Sequence, residues 1–204
     1  MNIPKPELIS VLQEFNPWWS RQPISDLPEW ERTASTQIKA WCNNVSSNRS
    51  LLLSGPRQVG KTTLFRQAIR NLIEQGAEPS QIIYITFDHP LLKLSGIKKT
   101  LEAWEELFPG TSDKPQFLFL DEVQFVPDWQ IWLKHQVDFQ KQRKIAITGS
   151  ASPLRSGSTE SGVGRWQTIK LPTLSFKEFL KLRNIEVPPI QELTSLRKLL
   201  ECSP

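Results

Sequence analysis

Along this chain, compact apolar runs alternate with segments whose apolar residues recur three and four positions apart. The runs LLLS (51–54), IIYITFD (82–88), FLFLDE (117–122) and KIAITGS (144–150) each stop in polar residues, and QTIKL (167–171) is a weaker fifth. Near-continuous apolar strands of this kind suit a parallel sheet buried on both faces. Between them, Lys61 to Gln75 places Leu64, Phe65, Ala68, Ile69, Leu72 and Ile73 on one helical stripe and stops at Gly76. Lys98 to Phe108 repeats the pattern with Leu101, Trp104 and Phe108, and Trp129 to Gln142 with Trp129, Trp132, Leu133 and Val137. The alternation predicts an α/β fold, a doubly wound parallel sheet flanked by helices.

The flanks differ in texture. Residues 1–48 are rich in Pro, Trp and Ser and end in NNVSSNRS; within them only Thr33 to Trp41 is predicted helical. Ser175-Phe-Lys-Glu178 forms a capping-box pattern opening a helix through Leu182, and Pro188 and Pro189 break it. Leu193, Leu196, Leu199 and Leu200 predict one more helix. The expected organisation is an N-terminal extension packed on the core (1–48), the core itself (49–175), and the start of a truncated C-terminal helical region (176–204).

Composition narrows the setting. The 204 residues are ample for a packed core, and 8 tryptophans supply large anchors. Trp104, Trp129 and Trp132 are expected in the core, whereas Trp18 and Trp19 lie in a proline-bounded loop that packs on the core or on a ligand. The net charge of +4 permits an anionic partner, and a nucleotide serves as well as a nucleic acid. No apolar run approaches the ~20 residues of a membrane span, and MNIPKPELIS lacks a signal pattern. Cys42 and Cys202 form neither a disulfide framework nor a zinc pattern, so a cytoplasmic protein off the membrane is expected. His89 and His135 have no metal-ligand or nucleophile partner at useful spacing.

GPRQVGKT (55–62) fits G-x-x-x-x-G-K-[ST], between an apolar strand and a helix. Gly55 and Gly60 let the loop fold tightly, so that Pro56, Arg57, Gln58, Val59 and their neighbours wrap a phosphate chain, with backbone N–H donors from all but the proline. Lys61 supplies a positive charge for the β- and γ-phosphates, Thr62 a hydroxyl for Mg²⁺, and Thr63 a contact to the α-phosphate. ATP with Mg²⁺ is therefore the expected ligand.

FLFLDE ends in two carboxylates at the carboxyl end of a strand, where open α/β sheets bind ligands. Asp121 is expected to hold Mg²⁺, directly or through water, and Glu122 to polarise a water for attack on the γ-phosphate. KIAITGS ends in hydroxyls, and either Thr148 or Ser150 is placed to bond that water or the γ-phosphate.

Together, GPRQVGKTTL, IIYITFDHPLL, FLFLDEVQFVPDW, ITGSAS, STESGVGRW and LPTLSFKEFL resemble the prokaryotic AAA+ ATPases of the AAA_14 group, which often carry a DUF4143 region behind the core. NPWW (16–19) resembles an opening seen in many members, and the likeness covers residues 16–182. It implies a P-loop fold of the ASCE type, with the acidic strand separated from the phosphate-loop strand by an inserted one. It supports Lys61, Thr62, Asp121 and Glu122 in the roles above and implies that Thr148 or Ser150 is the first sensor. Arg165 matches a family arginine that would act as a finger completing a neighbour's site in a homo-oligomer, with Arg155 and Arg57 as weaker alternatives. The segment Ile24 to Arg32 is implied to contact adenine. His89 departs from the family's FDDP-like element and Gly162 from a bulkier apolar residue. Family members usually continue into a helical lid that clamps adenine, of which only the first helices are expected here.

Three functions are consistent with these residues. The first is a Mg²⁺-dependent ATPase rearranging a partner, and the second is a nucleotide switch that binds ATP or ADP without hydrolysis. The third is direct DNA binding, motivated by KQRK (141–144) and by Lys177, Lys181, Arg183, Arg197 and Lys198.

Overall fold

A computed structural model of the chain describes residues 3–44, 49–111, 114–150 (Ser150 by its backbone) and 164–185. Five strands form one sheet: β1 (Ser50–Gly55), β2 (Ile82–Thr86), β3 (Gln116–Asp121), β4 (Arg143–Ser150) and β5 (Trp166–Lys170). Their order is β2-β3-β4-β1-β5 and every pairing is parallel. The acidic strand β3 is thus separated from the phosphate-loop strand β1 by β4, as the resemblance implies. The helices are α1 (Lys5–Phe15), α2 (Ala34–Asn43), α3 (Lys61–Glu74), α4 (Pro90–Leu107), α5 (Trp129–Phe139) and α6 (Phe176–Leu182). Met1–Thr173 and Leu174–Pro204 are two compact units. In the second, Ser175 caps α6 through the reciprocal bonds its sequence predicts: its hydroxyl accepts from the Glu178 N–H and its own N–H donates to the Glu178 carboxylate.

Strand periodicity sorts the core. Ile83, Ile85, Leu118, Leu120 and Leu52 point to one face, against Leu8, Leu12, Leu101, Trp104 and Leu133. Ile82, Tyr84, Phe119, Leu51 and Leu53 point to the other, against Trp18, Trp41, Leu64, Phe65 and Ile69. Helices cover both faces, so the strands carry apolar residues at odd and even positions alike. Trp104 is fully buried, Trp129 nearly so, and Trp132 packs partly buried against the same layer.

Two helices depart from the periodicity. The sequence shows no helix before Thr33, yet α1 forms there; its prolines lie at the N-cap and first turn, where a missing N–H costs nothing. The expected Lys98–Phe108 helix is the second arm of α4, whose first arm starts at Pro90 and turns at Gly96 (φ 69°, ψ 177°). The helix expected from Leu193, Leu196, Leu199 and Leu200 lies outside the described residues.

The NPWW segment closes a sheet edge. β2 is an outer strand, and at Tyr84 its two outward backbone groups meet the buried Asn16 carboxamide. The Tyr84 N–H donates to Asn16 Oδ1 (2.7 Å), and Asn16 Nδ2 donates to the Tyr84 carbonyl (2.9 Å). Two residues earlier, Trp18 Nε1 (3.1 Å) and Trp19 Nε1 (2.9 Å) both donate to the Ile82 carbonyl. Three side chains thus stand in for a sixth strand. Trp18 packs in the core, with Trp19 partly buried against it.

Candidate functional site

β1 delivers the chain into the glycine-flanked loop and α3 takes it out. Gly60 adopts φ 94° and caps α3 without a side chain, so the first N–H groups of α3 take no side-chain capping bond from it. Gln58 is also left-handed, at φ 61°. Gly55 is required for a different reason: a Cβ there would lie 2.3 Å from the Leu171 carbonyl oxygen, where the chain leaves β5. Lys61 is 5% exposed, and its ammonium donates to the carbonyls of Gly55 (3.1 Å) and Pro56 (2.8 Å). Arg32 fastens the loop from behind, donating to the Val59 carbonyl (2.8 Å) and to those of Pro172 (3.1 Å) and Thr173 (3.2 Å).

At the end of β3, the buried Asp121 carboxylate accepts from three hydroxyls carried by three elements. Thr62 (2.6 Å) and Tyr84 (2.8 Å) donate to Oδ2, and Thr148 donates to Oδ1. Burial, then the neighbouring Asp121 charge, pushes the Tyr84 phenol well above its ordinary range, so it remains a donor. The Thr62 hydroxyl and the Asp121 carboxylate are hard oxygen donors at one point of the cavity. They fit Mg²⁺, which takes one or two protein oxygens and completes its shell with phosphates and water. Among the described residues no group of three or more His, Cys, Asp and Glu could hold a metal.

Glu122 follows in a left-handed conformation (φ 54°, ψ 41°), a geometry costing about 1–3 kcal/mol for a non-glycine residue. Its N–H donates to Thr148 Oγ1 (3.1 Å). The turn throws its carboxylate toward Lys61, 4.0 Å away, while Gln124 Nε2 donates to the other oxygen. Lys61, Thr62, Thr63, Arg57, Gln58, Gly60, Asp121 and Glu122 line one cavity of about 930 Å³. Arg66, Tyr84, Thr86, His89 and Phe125 also line it. Its size suits a small-molecule ligand, and its phosphate-loop end combines the Lys61 charge with the N-terminus of α3.

The model of the family AAA_14, an AAA domain, matches residues 47–180. The chain belongs to the AAA_14 family. Two curated relatives are similar to it. An uncharacterized protein of Haemophilus influenzae is 35% identical over 140 residues, 66% of this chain and 34% of its own length. One of Methanocaldococcus jannaschii is 32% identical over 155 residues, 74% of this chain and 32% of its own length. The chain therefore spans about a third of the curated relatives it matches. Among solved structures, AMPPCP-bound DnaA from Aquifex aeolicus matches with a TM-score of 0.51 at 18% identity, over 87% of this chain and 62% of that one. Cdc6p from Pyrobaculum aerophilum matches with a TM-score of 0.55 at 15% identity, over 79% and 51%. At such identities the likeness shows the fold: a P-loop sheet of the AAA+ type.

Within this AAA_14 chain, not every predicted residue converges. Thr148 reaches the site, but its hydroxyl is taken by Asp121 and by the Glu122 N–H, and it is fully buried. The Ser150 backbone pairs with Gly55, while its side chain, Arg155 and Gly162 lie outside the described residues. Arg165 stands apart from the cavity lining, its guanidinium on the Asp138 carboxylate of α5 (2.9 and 3.1 Å). In the Ile24–Arg32 segment, Arg32 serves the loop backbone and Ile24 lines a separate cavity with Trp18 and Ile73. His89 is partly buried, its ring edge-on to Phe15, and His135 is exposed.

The KQRK run also differs from its sequence reading. Arg143 bonds Gln116, Gln136 and Glu105, and Lys144 donates to the carbonyls of Trp41 and Asn44 above the Trp41 ring. Burial lowers the Lys144 pKa. Two of its three cations brace the fold instead of forming a free basic surface. Lys177, Lys181 and Arg183 are exposed, and Arg197 and Lys198 lie outside the described residues. No described helix is long and apolar enough to cross a membrane.

Sequence reasoning missed Arg66, Tyr84 and Gln124, and it missed the backbone-bonding roles of Asn16, in the NPWW segment, and Arg32, in the segment implied to contact adenine. Each acts across a long sequence separation or, for Gln124, beside a residue already assigned, and none stands in a spacing that marks chemistry.

Proposed function

We propose that this chain binds ATP with Mg²⁺ in the 930 Å³ cavity and hydrolyses it, coupling turnover to rearrangement of a partner in the cytoplasm. The observation that carries the reading is the meeting of Lys61, Thr62, Asp121 and Glu122 at one point, with Thr62 Oγ1 and Asp121 Oδ2 2.6 Å apart. Lys61 and the first amides of α3 hold the phosphates by charge-assisted bonds. Mg²⁺, when bound, neutralises charge on the phosphate oxygens, and Thr62 and Asp121 are the residues that would hold it. Glu122 presents a carboxylate beside Lys61 and takes the proton of the attacking water. Thr148 serves by fixing Asp121 and the Glu122 backbone together.

The test measures nucleotide binding and phosphate release in parallel. Lys61→Ala is expected to weaken ATP binding about 10–100-fold, the loss of a charge-assisted bond. Glu122→Gln is expected to keep binding and lower turnover about 10²–10⁴-fold. Wild-type protein that binds ATP with the same negligible turnover as Glu122→Gln would make it a switch without hydrolysis. Equal ATP binding by wild type and Lys61→Ala would remove the reading altogether. Arg165 as a finger in a homo-oligomer requires release from Asp138, and an ATP-dependent rise in mass by light scattering that Arg165→Ala abolishes is its expected sign.

A further inference from the structure

Tyr84 is the chain's single tyrosine, and it is held at both ends. Its backbone N–H and carbonyl are clamped by Asn16, which also donates to the Leu12 carbonyl (2.7 Å). Its ring lies beneath the Arg66 guanidinium, 5.9 Å from the centroid. Its hydroxyl ends 2.8 Å from Asp121 Oδ2. The register explains the reach: Thr86 is the cross-strand partner of Asp121, and Tyr84 is one step earlier on the same sheet face. The phenol therefore runs up that face to the carboxylate.

The three hydroxyls on Asp121 are not equivalent. Thr62 belongs to the mobile chemistry, since the functional reading gives its hydroxyl to the metal. Thr148 and Tyr84 remain, one on each carboxylate oxygen. A carboxylate fixed at both oxygens is not free to turn about its Cβ–Cγ bond. Thr148 comes from the neighbouring inner strand, but Tyr84 comes from the outer one, itself secured by the N-terminal segment.

We propose that Tyr84 is a positioning residue for Asp121, setting the carboxylate's orientation so that the Mg²⁺ requirement for nucleotide binding depends on the sealed outer strand. This rests on the Mg²⁺–ATP reading above.

Two measurements test it. With tyrosine labelled by ¹³C at Cζ, the full chain gives a single signal. Without nucleotide or metal, Asp121→Asn is expected to move that signal, because the phenol's charged acceptor is gone; a signal that stays in place overturns the proposal. Second, Tyr84→Phe is expected to raise the Mg²⁺ concentration for half-maximal ATP binding about tenfold or more, the usual cost of losing an outer partner of a metal ligand. Each protein's Mg²⁺ dependence is read against its own affinity in EDTA, well below a melting temperature that the loss of a buried, charge-assisted hydrogen bond is expected to lower by about 3–10 °C. ATP binding with unaltered Mg²⁺ dependence in Tyr84→Phe overturns the proposal alone. Wild-type protein that binds no ATP overturns the functional reading and the positioning role with it, while the nucleotide-free signal still decides the bond.

Discussion

β2 and β5 are the two outer strands of one sheet, yet β2 is buried at four of its five residues and β5 exposes three of its five. The difference follows from what each does with its outward backbone. Along β2, Asn16, Trp18 and Trp19 take the free groups of Tyr84 and Ile82, and the strand can be apolar on every face. Along β5, Gln167, Thr168 and Lys170 are exposed, a polar and charged surface that discourages pairing with another chain. Edge protection by covering needs distant side chains, whereas protection by polarity is local. The covered edge carries Tyr84 and so bears on the site; the polar edge meets the phosphate loop through the Leu171 backbone at Gly55.

Opening the covered edge at β2 is expected to cost the most. Trp18→Ala removes a core side chain that is 3% exposed and one of the two donors to Ile82; a loss of about 3–5 kcal/mol is expected in denaturant unfolding. Asn16→Ala leaves an N–H and a carbonyl unpaired at a buried edge, for an expected loss of about 2–4 kcal/mol by the same measurement. Gln167→Ala or Lys170→Ala on β5 is expected to change stability by less than about 0.5 kcal/mol. If the β5 variants cost as much as Asn16→Ala, the distinction between covered and polar edges fails.

The smallest effect lies beside β5. Hydrogen bonding from Arg165 holds the exposed Asp138 carboxyl below its ordinary value. A depressed carboxylate pKa stabilises the fold above the unfolded value, and that contribution disappears as pH falls through the folded one. Arg165→Ala is expected to return the Asp138 titration upward to the ordinary carboxylate range in a carboxyl NMR titration, with little change in melting temperature at pH 7. An unchanged titration would mean that the pair is not formed in solution.

Much of this was legible because it is written in short-range pattern. The apolar runs and their polar stops located all five strands, and the stripe from Leu64 to Ile73 located α3, since burial on two faces imposes its own periodicity. GPRQVGKT named its residues because a phosphate-wrapping loop needs glycines and a lysine at fixed spacing, and Asp121 and Glu122 were legible as the polar end of an apolar strand. α1 was hidden by prolines that look like breakers and sit at a helix start. The first arm of α4 was hidden because Gly96 resets the helical phase, so no single periodicity runs through it.

The α/β class, the loop, and the residue types that meet a phosphate follow from the order of amino acids alone, because each is a local demand of backbone geometry or charge. How those residues are held depends on contacts made across the folded molecule. Thr148 faces Asp121 and Glu122, Arg143 and Lys144 turn inward from an apparently basic run, and Tyr84 joins a carboxylate 37 positions away. Hydrogen bonds between strands are set by sheet order and register, and neither leaves a trace in the spacing of residues along one chain.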